Sequence, residues 1–203
     1  MHDVVSSKLK SDADVVKLVL VDSSFFEILV DRYEKKLKRY ILRLGMFDNA
    51  VAEDLLQEVF IKVYQNLNDF DSAFSFSSWI YRISHNVVVS YFRKANVSPK
   101  ILDISRGVDD GDNSDGVENL ADDEVDLANE FDKKQLSKKV LQVLAEVPGE
   151  YREMLVLFYI EEKSYKEISD ILKRPINTVS SMINRAKRKF KQIYHVKYCE
   201  KDC

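Results

Sequence analysis

"SYKEISDILKRPINTVSSMINRAKRKFK", residues 164–191, contains two amphipathic segments separated by a short turn. The first begins with Ser164 and has Glu167 three positions later, which is the pattern of a capping box at a helix N-terminus. The second has apolar residues at helical spacing, and we expect Asn177 or Thr178 to cap it. Two short helices joined by a tight turn, the second strongly basic, are typical of a DNA-binding helix-turn-helix.

The basic second segment lies in a stretch without acidic residues. Residues 171–199 contain eight Lys or Arg and no Asp or Glu. In a helix-turn-helix the first turns of the second helix reach base edges, while other basic side chains contact phosphates. The candidates for base contact are Ser180, Ser181, Asn184 and Arg185, and those for phosphate contact are Lys187, Arg188 and Lys191. The alternative is that this segment is only a basic, solvated helix end.

A second stretch without acids lies in the N-terminal half. Residues 72–102 lack Asp and Glu, although the chain contains 34 of them among 203 residues. Within it, "FSSWIYRISHNVVVSYFRK", residues 76–94, predicts a helix with aromatic and basic side chains. Single-stranded DNA needs cations for its phosphates and flat faces for its unstacked bases, which Trp79 and Tyr81 would supply. The alternative is that the aromatic side chains are core and the basic ones are ordinary surface.

Two further helices are predicted ahead of this one. "SSFFEILVDRYEKKLKRYILRLG" is expected to be capped by Ser23 or Ser24, and "DNAVAEDLLQEVFIKVYQNL" by Asp48. The acid-free helix has Ser75 or Ser77 in the same role. The polar face of the helix after Asp48 is formed by Glu53, Asp54, Gln57, Glu58 and Lys62. That face is either ordinary solvated surface or a docking face for a basic partner.

The composition indicates a helical protein without a membrane anchor. Hydrophobic residues make up 45% of the chain, and the presence of only 5 Gly and 3 Pro favours helices over many tight turns. No apolar run approaches the length of a membrane span, and the N-terminus lacks the layout of a signal peptide. We therefore expect a cytoplasmic protein with no direct membrane insertion.

Charge divides the chain into three parts. The net charge of −3 arises from −11 in residues 103–132, with +1 before and +7 after that segment. The acidic segment holds three of the five glycines and cannot bury enough apolar surface to offset the entropy lost on ordering. The sequence therefore predicts an all-α protein with two helical domains, residues 12–98 and 133–196. An acidic flexible linker, residues 99–132, is expected to join them.

Both halves resemble the extracytoplasmic-function (ECF) sigma factors, bacterial RNA polymerase subunits of the sigma-70 family. The N-terminal half carries "FFEILVDRYEKKLKRYILR", "AEDLLQEVFIKVYQNLNDF" and "FSSWIYRISHNVVVSYFRK", in the order of sigma region 2. The C-terminal half carries "LAEVPGEYREMLVLFYIEEKSYKEISDILKRPINTVSSMINRAKRKF", which is similar to the helix-turn-helix of sigma region 4. The resemblance implies a factor that directs polymerase to the promoters of a stress or extracytoplasmic regulon.

The resemblance also implies a role for each motif. It implies that the chain docks on the core polymerase through Asp54, Gln57 and Glu58. Recognition and melting of the minus-ten promoter element falls to Asn68, Phe70, Phe74, Phe76, Trp79, Tyr81, Arg82, Asn86, Arg93 and Lys94. Recognition of the minus-thirty-five element falls to Tyr165, Lys166, Arg174, Thr178, Ser180, Ser181, Asn184, Arg185, Lys187 and Arg188. The implied partners are core polymerase, promoter DNA and an anti-sigma factor, with no cofactor, metal or catalytic residue.

The chain departs from the family pattern in both DNA-reading helices. Ser90 stands where the family usually has an acid, and "NTVSSM" stands where the recognition helix usually opens with Gly-Thr-Val and basic residues. Asn177 is able to take the left-handed turn of the missing glycine. Because Ser180 and Met182 replace the customary bases, promoter preference cannot be carried over from relatives. A stand-alone helix-turn-helix regulator and a sigma-like protein that has lost promoter binding are the alternatives.

The last motif is His195, Cys199 and Cys203, spaced four residues apart near the C-terminus. On one helix face these groups are candidates for zinc binding or for sensing oxidation. The alternative is an inert chain end, because a fourth ligand is not evident. The chain shows no nucleophile–base pair, phosphate-binding glycine loop or carboxylate dyad, so we expect no enzyme activity.

Overall fold

The structure is a computed structural model that describes residues 11–45, 47–94 and 127–199, with only the backbone for residues 127–135. Its helices are α1 (Asp12–Val21), α2 (Phe26–Gly45), α3 (Asn49–Gln65), α4 (Phe76–Lys94), α5 (Leu127–Glu146), α6 (Gly149–Leu155), α7 (Tyr165–Leu172) and α8 (Ile176–Tyr198). A π-helical turn, Val156–Ile160, continues α6, and 3-10 turns at Ser23–Phe25 and Leu67–Asp69 flank α2 and α3. The described ranges contain no strand, so the all-α prediction is confirmed for them.

Helices α1 to α4 form a bundle around one apolar core. Helix α2 packs against α1, α3 and α4, and α3 also packs along α4. Their apolar residues recur at helical spacing and therefore share the inner face of each helix. The most deeply buried of them include Val15, Leu29, Leu37, Ile41, Val59, Val63 and Ile80. This bundle is the predicted region 2-like unit.

Helices α5 to α8 form the second bundle, in which α8 packs against α5, α6 and α7. Its core side chains include Val143, Leu157, Ile168, Ile171, Val179 and Ile183. Arg152 of α6 is buried and donates to the backbone carbonyls of Leu144, Ala145 and Val147 at 3.0, 2.7 and 3.1 Å. The Leu144 carbonyl also accepts the N–H of Val147 at 3.2 Å, and Arg152 supplies a donor to all three of these carbonyls at the end of α5. Burial lowers the pKa of Arg152.

The two bundles contact each other directly. Helix α4 lies along α7, and α2 lies against α6 and the π-helical turn. The buried apolar side chains of both bundles form one continuous cluster. Helix α4, predicted to read the minus-ten element, is therefore covered on one side by the first helix of the helix-turn-helix.

Three predicted helix caps are confirmed. Asp48 accepts a backbone N–H at 2.9 Å at the start of α3, and Ser75 accepts one at 3.3 Å at the start of α4. At α7 both halves of the capping box are present, because Ser164 accepts the N–H of Glu167 and Glu167 accepts the N–H of Ser164. Burial acts to raise the pKa of Glu167, but the hydrogen bonds from Ser164 outweigh it and lower the pKa overall.

The predicted cap of α2 is wrong. Asp22 accepts the N–H of Ser24 at 2.9 Å and starts a 3-10 turn, so neither Ser23 nor Ser24 caps the helix. A carboxylate is a stronger acceptor for a backbone N–H than a serine hydroxyl, and Asp22 takes that position one residue earlier.

The predicted cap of α8 is also wrong. Helix α8 starts at Ile176 directly after Pro175, and neither Asn177 nor Thr178 caps it. The fixed backbone angle of proline suits the start of a helix, and the early start places Asn177 and Thr178 inside the first turn rather than at its cap. The left-handed residue of the turn is Lys173, with φ of 53°, rather than Asn177.

The acidic segment is only partly described. The backbone is helical from Leu127, so residues 127–132, which the sequence assigns to a flexible linker, form the start of α5. Leu127, Ala128 and Glu130 favour helix. The rest of the expected linker, residues 99–126, lies outside the described residues, as do residues 95–98.

Candidate polymerase and nucleic-acid interfaces

The acidic face of α3 is exposed. Asp54 and Gln57 are open to solvent, and Glu58 is half-buried and pairs with Lys62 one turn later at 2.9 Å. Glu53, at the edge of the same face, pairs with Lys38 of α2 at 2.8 Å. Among the described residues Asp54 has no ion pair, so its carboxylate is available to a basic partner.

An apolar surface continues this face and was not anticipated from the sequence. Ile61 is 56% exposed, and Tyr64 lies beside it with its ring 5.2 Å from that of Phe26. Together with Phe60 these side chains line a shallow, apolar pocket. The sequence could have predicted this apolar surface, because Ile61 lies one helical turn beyond Gln57 on the same side of α3.

The loop between α3 and α4 exposes an aromatic side chain. Asp71 accepts the N–H of Ala73 at 2.9 Å, and its carbonyl accepts the N–H of Phe74 at 3.0 Å. This turn holds the Phe74 side chain outward with 62% of its surface exposed. Asn68 in the preceding turn is also exposed. The loop therefore offers a stacking surface with a polar neighbour.

The other aromatic residues of the predicted minus-ten site lie inside the N-terminal bundle. Phe76 is buried and Trp79 is 9% exposed, and their ring centroids are 5.6 Å apart. Phe70 packs against both, at 5.2 Å from Phe76 and 5.5 Å from Trp79, and Tyr33 contacts Phe76 at 5.6 Å. In this conformation Phe76 and Trp79 are core residues, which is the alternative that the sequence left open for Trp79.

The polar residues of the predicted minus-ten site lie nearer to solvent. Asn86, Arg93 and Lys94 are exposed along α4, and Arg82 is half-buried one turn before Asn86. The structure therefore brings together a row of donors without acids on the outer side of α4. Their contact with phosphates or base edges stays a prediction.

Tyr81 is buried between the two bundles with 1% of its surface exposed. Its ring lies 5.0 Å from that of Tyr40, and the Nζ of Lys163 lies 4.7 Å from its centre on the other side. Its hydroxyl donates to Glu161 at 2.5 Å. Burial, followed by the nearby Glu161 carboxylate, raises the pKa of Tyr81 above its usual range. Tyr81 is therefore withheld from nucleic acid in this conformation.

Glu153 of α6 also reaches into the N-terminal bundle. Its Oε1 accepts the Tyr40 hydroxyl at 2.6 Å and lies 2.7 Å from the Nδ1 of His85 in α4. The residue is 7% exposed. Burial, followed by the Glu153 charge, raises the pKa of Tyr40 well above its usual value.

Three further contacts join the bundles. Glu161 pairs with Arg43 of α2 at 3.6 Å, and Lys163 donates to Ser77 at the start of α4 at 2.7 Å. Arg152 donates to the Leu44 carbonyl at the end of α2 at 3.2 Å. Burial lowers the pKa of both Arg43 and Lys163, although Glu161 opposes that shift at Arg43 and Glu167 opposes it at Lys163.

The helix-turn-helix presents most of its predicted DNA contacts to solvent. The exposed residues are Tyr165, Lys166, Arg174, Ser181, Asn184, Arg185, Lys187 and Arg188, and the half-buried ones are Thr178 and Ser180. Tyr165 stacks on Phe158 at 5.1 Å with its edge in solvent. Most of these side chains are therefore accessible to a partner, and their contact with DNA stays a prediction.

Met182 lies inside this domain rather than on its DNA-facing surface. It is buried, and its sulfur accepts a hydrogen bond from Arg174 at 2.9 Å. The replacement of a customary base by Met182 therefore removes no exposed charge from this surface. It also fixes Arg174 close to the first turns of α8.

The motif near the C-terminus is only partly described. Helix α8 ends at Tyr198, and the N–H of Cys199 donates to the His195 carbonyl at 2.8 Å. Cys203 lies outside the described residues. Within the described ranges no group of three or more His, Cys, Asp or Glu is arranged to hold a metal ion. The helices of those ranges include none with the length and apolar character needed to cross a membrane.

Family comparison matches each bundle separately. Residues 29–97 match sigma-70 region 2, and residues 137–190 match sigma-70 region 4. The chain is 35% identical to the ECF RNA polymerase sigma factor SigW of Bacillus subtilis (strain 168) over 173 residues, which cover 82% of this chain and 87% of SigW. It is 31% identical to the ECF RNA polymerase sigma-E factor of Haemophilus influenzae, over 90% of this chain and 94% of that protein.

Solved structures share the fold. CnrH in complex with the cytosolic domain of CnrY superposes with a TM-score of 0.63 at 19% identity, over 91% of this chain and 97% of CnrH. The sigma factor RpoE, solved in complex with the anti-sigma factor NepR from Bartonella quintana, superposes with a TM-score of 0.59 at 22% identity, over 84% of this chain and 97% of RpoE.

Two helical bundles that match regions 2 and 4 in order define a sigma-70 family protein. The chain is more than 30% identical to two ECF sigma factors over most of its length, which places it in the ECF group of that family. The chain belongs to the ECF RNA polymerase sigma factors.

Proposed function

We propose that this sigma factor binds core RNA polymerase through α3 and directs it to promoters through α4 and α8. The observation that carries the proposal is the division of charge among these helices. The α3 face is acidic, whereas α4 and α8 lie in the two stretches of 31 and 29 residues without acids, residues 72–102 and 171–199. An acidic surface suits a basic protein partner, and acid-free surfaces suit DNA.

The polymerase contact is assigned to Asp54, Gln57 and Glu58. In the family the corresponding helix docks on the clamp helices of the largest polymerase subunit. The exposed Asp54 carboxylate and the adjoining Ile61 support this assignment, because specific interfaces combine charged rims with apolar centres.

Residues 12–98 are assigned to core docking and the minus-ten element. Phe74 is the exposed aromatic residue of the loop, and we assign it to stacking on an unpaired base. Arg82, Asn86, Arg93 and Lys94 are assigned to the adjoining strand. Trp79 and Phe76 support the loop through Phe70. The family resemblance assigns Tyr81 to the same element, although its side chain is buried in this conformation.

Residues 133–196 are assigned to the minus-thirty-five element, with residues 99–132 as the connection. Ser181, Asn184 and Arg185 lie in the first turns of α8, where base edges are reached. We assign the surrounding phosphate contacts to Lys166, Arg174, Lys187 and Arg188. The edge of the proposed DNA-binding surface is assigned to Tyr165, Thr178 and Ser180.

The mechanism consists of binding without bond chemistry, so we assign no enzyme activity. Free energy from contacts with polymerase and unpaired bases offsets the cost of opening a short stretch of duplex, a few kcal/mol for each extruded base. Acting on polymerase and chromosomal DNA places the protein in the cytoplasm. Because RpoE was solved with an anti-sigma factor, we assign an anti-sigma partner to this chain as well.

The test is transcription in vitro with purified core polymerase and genomic DNA fragments. Discrete transcripts are expected when the chain is added and none without it. The matched variants are Arg185→Ala, expected to lose transcripts, and Lys17→Ala, an exposed base of α1 expected to retain them. Tight, sequence-specific duplex binding in the absence of core polymerase, with no transcripts in its presence, would instead favour a stand-alone regulator.

A further inference from the structure

We propose that Met182 is a positioning residue for DNA recognition. Its sulfur holds the guanidinium of Arg174 beside the first turns of α8, where Arg174 contacts a phosphate of the minus-thirty-five element. The proposal rests on the function assigned to α8 above. It adds the means by which this chain brings a cation to the beginning of a recognition helix that has none there.

The beginning of α8 carries no positive charge of its own. Residues 176–184 contain no Lys, Arg or His, and the first basic residue of the helix is Arg185. The positions where the family usually has bases are occupied by Ser180, which is half-buried, and by Met182, which is buried. Because affinity for the DNA backbone depends on cations, the charge at this end of the helix has to come from another element.

Arg174 brings a cation to this place from the turn that precedes α8. Its Nη1 donates to the sulfur of Met182 at 2.9 Å. Met182 lies six residues after Ile176, about 9 Å along the helix axis, and side chains of a helix lean back toward its N-terminus. The Arg174 side chain therefore lies along the first two turns of α8.

The backbone of Arg174 is also held in place. Its N–H donates to the Ser169 carbonyl at 3.2 Å, and its own carbonyl accepts the Ser169 hydroxyl at 2.6 Å. Pro175 follows directly and restricts the backbone on both sides of the peptide bond. Arg174 is therefore fixed at the backbone by Ser169 and at the guanidinium by Met182, although 43% of its side chain is exposed.

This arrangement prepares the guanidinium for a phosphate. Immobilising a long, mobile side chain on binding costs conformational entropy, and Arg174 has already lost part of that freedom in the unbound chain. The thioether of Met182 is an uncharged, weak acceptor, so it orients the guanidinium without neutralising it. The N–H groups that do not face the sulfur stay available to a phosphate oxygen.

Glu150 does not supply this orientation. Its Oε2 lies 4.0 Å from the Nη1 of Arg174, and both side chains are exposed. Exposed ion pairs at such a distance contribute little, so a phosphate is able to replace the Glu150 carboxylate. The hydrogen bond to Met182 does not compete with the phosphate in this way, because the sulfur lies on the protein side of the guanidinium.

The test is the affinity of the full-length chain for a duplex that carries the minus-thirty-five element of a promoter mapped by transcription in vitro. Fluorescence anisotropy over a salt series measures both the affinity and its salt slope. Met182→Leu keeps the apolar volume and removes the acceptor. Its matched control is Met154→Leu, a buried methionine of α6 whose sulfur accepts no hydrogen bond within the described ranges.

Met182→Leu should weaken binding about threefold and leave the salt slope unchanged, because the charge of Arg174 is still present but is no longer held. Arg174→Ala should weaken binding about tenfold and lower the salt slope by about 1, and Arg174→Lys should restore the slope. Adding Met182→Leu to Arg174→Ala should have no further effect, since the two residues act through one contact. Met154→Leu should bind as the unmodified chain does.

Met182→Leu that binds as tightly as Met154→Leu overturns the proposal, and so does an unchanged salt slope in Arg174→Ala. An equal loss from Met182→Leu with and without Arg174 also overturns it, because that result would mark a general effect on the fold. Arg185→Ala separates the proposal from the proposed function. If Arg185→Ala weakens binding and Arg174→Ala does not, the role of Met182 alone is rejected; if neither does, the assignment of α8 to DNA is rejected with it.

Discussion

The Tyr40 hydroxyl of α2 donates to Glu153 of α6 at 2.6 Å and joins residues 113 positions apart in the chain. Both side chains are buried, so the bond is shielded from water. A shielded bond to a carboxylate contributes more than an exposed one, and its removal has a measurable consequence.

Tyr40→Phe should lower the free energy of unfolding by about 1–3 kcal/mol, because the Glu153 carboxylate loses a donor while it stays buried. Urea denaturation followed by circular dichroism measures the change. Tyr91→Phe is the control, since the Tyr91 side chain is exposed at the surface of α4. Equal stability of the two variants would contradict the structure at Tyr40.

Alkaline pH should destabilise the protein through its buried tyrosines. The pKa values of Tyr33, Tyr40 and Tyr81 are raised in the folded state, chiefly by burial. Their contribution is complete below pH 10, the ordinary pKa of tyrosine, and is lost as pH rises above it, because the unfolded chain ionises first. Absorbance at 295 nm should show a late step that coincides with loss of helical signal.

The titration has a direct control. Tyr40→Phe combined with Tyr81→Phe removes two of these buried hydroxyls, so the late step should be smaller in that variant. If all tyrosines ionise together in a chain that keeps its helical signal, the burial of Tyr40 and Tyr81 is wrong.

Asp54→Arg should weaken binding to core polymerase tenfold or more, equivalent to ~1.4 kcal/mol, because it reverses the charge on the proposed docking face. Glu34→Arg is the matched control, an exposed acid of α2 in the same domain. Fluorescence anisotropy of labelled chain with core polymerase measures both. Comparable losses from the two reversals would indicate a general charge effect and remove the assignment of Asp54.

Lys187→Ala and Arg185→Ala should affect promoter binding differently. Loss of a phosphate contact at Lys187 should weaken all sequences alike and lower the salt slope by about 1. Loss of a base contact at Arg185 should cost about 1–3 kcal/mol and relax discrimination at one base pair. Binding of minus-thirty-five duplexes over a salt series, scored against a base-substitution panel, separates the two. Identical behaviour of both variants would leave the division of roles without support.

Ser78→Ala should leave the protein as stable as before or raise its free energy of unfolding by about 1 kcal/mol. Within the described ranges the Ser78 hydroxyl is buried without a hydrogen-bond partner, and its removal ends that penalty. Ser90→Ala is the control, because Ser90 lies on the same helix but is partly exposed. It measures the stability gained from the higher helix propensity of alanine alone. Thermal unfolding of both measures the difference; a clear loss at Ser78 would mean that its hydroxyl has a partner.

Local chemistry made much of this fold predictable. Asp48, Ser75 and the Ser164–Glu167 pair act on backbone groups three residues away, so their roles are visible in the sequence. The start of α8 was not predicted correctly, because the helix begins directly after Pro175 and Asn177 lies inside its first turn.

The contacts between domains were beyond the reach of sequence patterns. Glu153 and Glu161 look like ordinary surface acids of an amphipathic segment, and their partners lie 68 to 118 residues away. Nothing in the spacing of Tyr81 reveals that a second domain covers it. The burial of Trp79 likewise depends on Phe70, which lies in a loop with no periodic pattern to place it.

Arg152 links parts of both bundles at once. Three of its hydrogen bonds stay within the C-terminal domain, to Leu144, Ala145 and Val147, and the fourth crosses to Leu44. Because most of its acceptors are local, the junction of α5 with α6 does not depend on the carbonyl that the N-terminal bundle supplies.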